Sequence, residues 1–93
     1  MTRPADAAPI RLSTIRRGER VTVLGLDETG VNTPLPPGEL ERRLIEMGLV
    51  EGATIEAMHE GFPGRDPIAI RVNHHKIALR RSEAHAVVVA ALA

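Results

Sequence analysis

The sequence predicts a small antiparallel β-barrel carrying one short helix. Three observations predict it. Short β-branched segments follow one another with turn residues between them, a single segment has helical spacing, and no parallel crossover unit joins the strands. Ninety-three residues leave room for one core. Hydrophobic residues make up 43% of the chain, too many for a disordered segment. Phe62 is the only aromatic residue, so the core is aliphatic.

Residues 1–11, rich in Pro and Ala, read as a tail, and the domain is expected over residues 12–91, with order beginning near Leu12 and Ile15. Gly18 precedes a strand from Arg20 to Leu26. Val21 and Val23 share one parity, whereas Leu24 and Leu26 share the other. One flat strand cannot bury both sets on one face, so the strand is either bulged near Val23–Leu24 or covered on both sides. Residues 27–38 hold three prolines and two glycines and form a loop. Glu39 to Met47 is the helix, with Leu40, Leu44 and Met47 at i, i+4 and i+7 and Ile45 widening the stripe. Pro37 or Gly38 starts it, and Gly48 suits a left-handed stop. Glu39–Arg43 and Arg42–Glu46 are spaced for ion pairs on its outer side.

Three strands follow Gly52. In Thr54 to Glu60, Ile55 and Ala57 point one way and Thr54, Glu56 and Glu60 the other. A turn at Gly61–Phe62–Pro63–Gly64 leads on to Asp66–Pro67. Ile68, Ile70 and Val72 then alternate, as do Ile77 and Leu79. A two-residue turn at His74–His75 pairs Val72 with Ile77 and Ile70 with Leu79. Ser82 to His85 reads as one helical turn capped by Ser82, before a last strand at Ala86 to Ala90. The apolar run Val87 to Val89 is a candidate sheet edge for pairing with a second copy of the chain, a homo-oligomer.

Several function classes are excluded. The longest apolar run, Ala86 to Ala93, falls well short of the roughly 20 residues of a membrane span. Twelve basic and twelve acidic residues cancel, so no global field favours nucleic acid or anionic lipid. Cysteine is absent, removing disulfides, thiol catalysis and cysteine metal sites, and a cytoplasmic location fits. The only lysine, Lys76, lies outside any phosphate-binding loop pattern. Ser13 and Ser82, the only serines, sit at turn or cap positions, and no carboxylate has a visible cause for a raised pKa. No enzyme is read, and no catalytic or cofactor-binding residue is assigned. His59, His74, His75 and His85 are weak metal-ligand candidates: the adjacent His74 and His75 diverge in an extended segment, though a turn can bring them closer and His59 can join, and His85 shares the capping turn with Glu83. No cofactor is expected, and a contact with a transition metal has no ligand cluster behind it. Arg42, Arg80 and Arg81 are the candidates for binding a partner.

Four segments, in order and spacing, resemble the FeoA family of bacterial ferrous-iron transport. They are Leu12-Ser13-Thr14-Ile15-Arg16-Arg17-Gly18, Arg43-Leu44-Ile45-Glu46-Met47-Gly48-Leu49-Val50-Glu51-Gly52, Gly64-Arg65-Asp66-Pro67-Ile68 and Ile77-Ala78-Leu79-Arg80-Arg81-Ser82-Glu83-Ala84. The resemblance covers about residues 12–90. It implies an SH3-like barrel and a non-enzymatic accessory that binds the cytosolic, GTP-binding region of the FeoB membrane iron transporter and modulates iron uptake. Residues 27–38 are longer and richer in Pro than the family pattern. The pattern also places Gly at the last hairpin's turn, where this chain has His74, a residue that tolerates positive φ. A related barrel forms the C-terminal domain of iron-dependent repressors, so a metal-sensing regulatory module is the competing reading.

Overall fold

A computed structural model describes residues 8–60 and 64–92 of the chain. Its elements are β1 (Ile10–Arg11), a single 3₁₀ turn (Leu12–Thr14), β2 (Arg20–Leu26), α1 (Glu39–Glu46), β3 (Thr54–Glu60), β4 (Ile68–Val72), β5 (His75–Leu79), α2 (Arg81–Ala84) and β6 (Val87–Ala91). The strands form one antiparallel sheet in the order β1-β6-β2-β3-β4-β5. One strand, β1, therefore exceeds the expected five, and the helical turn expected at Ser82 to His85 is α2, begun one residue earlier. The expected tail falls outside the described residues over 1–7, and Ile10–Arg11 already pair with Val88 and Val89 of β6. The expected turn at Gly61–Phe62–Pro63–Gly64 lies outside the described residues over 61–63.

The parity change in β2 is a bulge. Val23 pairs with Val89 and Gly25 with Val88, leaving Leu24 as the extra residue. A second bulge, at Met58 of β3, lies between the Ala57–Ile70 and His59–Ala69 pairs. Bulges bend a strand and raise its twist, so the sheet curls around a single aliphatic core. Leu12 and Ile15 enter that core from the N-terminal turn, Leu40 and Leu44 from α1, and Val21, Ile55, Ile70, Leu79 and Val89 from the strands. No polar side chain is buried among the described residues.

Helix α1 ends one residue before the expected Met47, which serves as its C-cap. Gly48 follows at φ 94°, Leu49 donates its N–H to the Leu44 carbonyl, and Gly48 donates to Ile45. This is a Schellman stop, with buried Leu49 and Leu44 making its apolar contact. At the other end the cap is Gly38, and the Glu28 carboxylate accepts the Gly38 N–H at 2.6 Å and the Glu41 N–H at 3.2 Å. A carboxylate suits the positive helix end and anchors the loop to it. Leu40 and Leu44 are buried, but Met47 is only partly so and Ile45 is 46% exposed, so the stripe is narrower than its spacing suggests. On the outer side Arg42 pairs with Glu39 at i,i+3, in place of the expected i,i+4 pairing with Glu46.

The β4–β5 hairpin turns at Asn73–His74. Val72 pairs with His75, Ile70 with Ile77 and Ile68 with Leu79. The expected register is therefore displaced by two residues, a shift that keeps every side chain on its face. Asn73, not His74, takes the left-handed conformation, at φ 54°. Its N–H donates to the Thr54 carbonyl, and its side-chain oxygen accepts the Thr54 N–H. Asparagine tolerates this region and supplies the extra bond, which sets the turn one position earlier. The cap of α2 is Arg80, whose N–H is accepted by Glu83 at 3.0 Å; Ser82 is the second helical residue and exposed. Strand β6 lies between β1 and β2, and Val88 and Val89 have partners on both sides, so β6 is not an edge strand as expected. No helix among the described residues is long and apolar enough to cross a membrane.

Arg11 links β1 to the end of β2. Its guanidinium donates to the Asp27 carbonyl, to the Asp27 carboxylate at 3.1 Å and to the His85 carbonyl. The backbone N–H and then the hydroxyl of Thr29, followed by Arg11, hold the Asp27 carboxyl below the usual carboxylate range. A lowered folded-state pKa adds stability above the unfolded value of about 4, and that stability is lost as pH falls through the folded one. The urea midpoint of Asp27→Asn should therefore lie below wild type at pH 7, with the gap closing towards pH 3. A gap of the same size at both pH values would contradict this.

Candidate functional site

The four histidines do not converge. His59 sits opposite Ala69 at one end of β4, whereas His75 sits opposite Val72 at the other. Three residues of strand, about 10 Å, separate those positions along β4. His74 is exposed in the turn, and His85 lies beyond α2 with its Nδ1 3.0 Å from the Ser13 hydroxyl. Among the described residues no three His, Asp or Glu side chains form a metal-ligand group.

The Ser13–His85 contact joins residues 72 positions apart, and no sequence spacing signals it. It is exposed, and among the described residues no carboxylate orients the imidazole. Together with Arg81 it ties the N-terminal turn to α2. The Arg81 guanidinium donates through Nε to the Arg65 carbonyl at 2.6 Å and through a terminal nitrogen to the Ser13 carbonyl, while the backbone N–H of Arg81 donates to Asp66 Oδ1. Arg81 is thus a clamp between three segments. Arg42 is solvated on the outer face of α1, its side chain 69% exposed.

Arg80 lies elsewhere, on the rim of an open cleft of ≈ 400 Å³. Asn32, Thr33, Pro34 and Leu35 form one wall, Arg43 projects from α1, and Arg80, Ser82 and Glu83 form the other side. The sequence pointed to Arg42, one position away, but helical geometry turns Arg43 towards the cleft. The spacing of Arg43 from Leu40 and Leu44 could have indicated which side it takes; that residues 32–35 fold against it could not be read.

A second surface feature is apolar. Ile45 and Val50, 46% and 44% exposed, line a shallow groove with Leu26 and Leu49 beside the β2 bulge. Glu41 and Glu51 stand at its rim.

A family model described as the FeoA domain matches residues 10–91. The Fe(2+) transport protein A/Fe(2+) transporter FeoB fusion protein of Porphyromonas gingivalis is 31% identical over 75 residues, or 81% of this chain. The chain spans only 8% of that relative's length. The solved structure of an FeoA-like protein from Clostridium acetobutylicum matches with a TM-score of 0.74 at 29% identity, over 91% of this chain and 88% of that one. The zinc complex of Stenotrophomonas maltophilia FeoA, described as a prokaryotic SH3 domain protein, matches with a TM-score of 0.70 at 29% identity. That match covers 86% of this chain and 88% of the other, so the barrel is SH3-like, as expected. The family match runs from β1 to the end of β6 and takes in both helices, and the chain belongs to the FeoA domain family.

Proposed function

We propose that this chain is a non-enzymatic, cytoplasmic accessory of ferrous-iron transport that docks on the cytosolic, GTP-binding region of an FeoB-type transporter and modulates uptake. The observation that carries this reading is the Porphyromonas gingivalis relative, in which transport protein A and the transporter are one fused polypeptide. Fusion holds two partners at a high effective concentration, which is useful where the separate proteins associate. A domain of this size can offer about 800 Å² to a partner, enough for a modest-affinity interface. Cells lacking this gene but retaining the transporter should show altered ferrous-iron uptake. Uptake indistinguishable from wild type at limiting iron would oppose the reading.

The accessory works without a resident metal, a reading supported by the separation of His59, His74, His75 and His85. Anaerobic calorimetric titration with ferrous iron or zinc should give weak binding or none. A one-to-one complex of micromolar affinity, abolished by replacing His74 and His75, would contradict it.

A further inference from the structure

We propose that the cleft between residues 32–35, Arg43 and Arg80 binds an acidic, carboxylate-rich segment of the partner protein; the proposal rests on the docking reading and assigns it a surface. Arg43 comes from α1 and Arg80 from the cap of α2, and the fold brings both to one cleft. Both residues are exposed, and neither guanidinium is in an ion pair among the described residues. Arg11, Arg42 and Arg71, by contrast, are each paired with a carboxylate.

Two like charges facing one cleft repel each other, in a chain with as many acidic as basic residues to place between them. A carboxylate entering the cleft reverses that repulsion, and the planar guanidinium fork can take it in two parallel hydrogen bonds. The cleft lining sets two guanidiniums against one carboxylate, Glu83, which accepts the Arg80 backbone N–H at 3.0 Å, so positive charge is in excess there. The Ser82 hydroxyl supplies a further donor, while Pro34 and Leu35 give an apolar surface for the stretch of chain between two carboxylates. The chemistry selects acidic side chains interrupted by an apolar one.

A blocked pentapeptide of four glutamates around one leucine, titrated into the ¹⁵N-labelled protein at low salt, tests this directly. Amide shifts should cluster at residues 32–35, 43 and 80–83. The apparent affinity should fall at least tenfold in Arg43→Gln/Arg80→Gln, and a lysine version of the peptide should leave the spectrum unchanged. Absent shifts, or shifts centred elsewhere, would overturn the proposal on the wild-type protein alone. Binding of the transporter's cytosolic region is measured in parallel. If it binds the double variant as tightly as wild type, the cleft assignment fails and the docking reading stands. If it binds neither while the peptide maps to the cleft, the docking reading fails and the acidic-segment site stands.

Discussion

Leu44→Ala is expected to lower stability by about 2–5 kcal/mol, the range for removing a fully buried leucine. Leu44 has no exposed surface, lies in the middle of the stripe that α1 turns inwards, and carries the carbonyl that Leu49 uses to close the helix. An eight-residue helix has no stability of its own, so the packing of Leu40 and Leu44 on the sheet maintains it. Domains have about 5–15 kcal/mol in total, and this one is small, so the loss is a large fraction. Urea denaturation should show a lower midpoint with an unchanged slope. Ile45→Ala, one position along and 46% exposed, should move the midpoint little. Equal midpoints for Leu44→Ala and wild type would mean that the helix stripe is not core.

Arg81→Ala should cost about 2–3 kcal/mol, far more than a surface arginine. Its guanidinium donates to the carbonyls of Ser13 and Arg65, and it joins the N-terminal turn, the loop before β4 and α2. Charged hydrogen bonds contribute about 1.5–3 kcal/mol each, less where water competes, as it does at this half-exposed position. Arg81→Lys should restore little, since one ammonium cannot reproduce two divergent donors. The control is Arg42→Ala, whose exposed pair with Glu39 should be worth less than about 1 kcal/mol. If the two alanine variants have the same thermal midpoint, the clamp contributes nothing.

Much of the fold was legible because its signals are local. The clash of parity between Val21–Val23 and Leu24–Leu26 required either a bulge or cover on both sides, and the bulge sits at Leu24. Gly48 stops α1 as its missing Cβ allows, and the alternation of Ile68, Ile70 and Val72 places all three in the core. The misreadings arise where a distant group decides. The hairpin turns at Asn73 because that residue bonds Thr54, 19 positions earlier. Glu28 caps α1 from the loop, and Glu83, not Ser82, satisfies the start of α2. Val87 to Val89 read as an edge strand, yet Ile10 and Arg11 pair with Val89 and Val88 on its outer side. That pairing lies within the segment whose composition suggests a tail.

The candidate site was less legible. Arg42, Arg80 and Arg81 are the candidates the sequence offers, but which arginines meet in space is a tertiary property. Arg81 is held by backbone carbonyls, Arg42 is paired on the outer face, and Arg80 shares its cleft with Arg43.

The central claim is docking, and the most direct measurement is association of the purified chain with the purified cytosolic region of an FeoB-type transporter. Sedimentation velocity or calorimetry at low salt should show a saturable complex of modest affinity that weakens as salt rises, because charged patches steer it. No detectable association at low salt, with both proteins folded and at concentrations of tens of micromolar, would contradict the account.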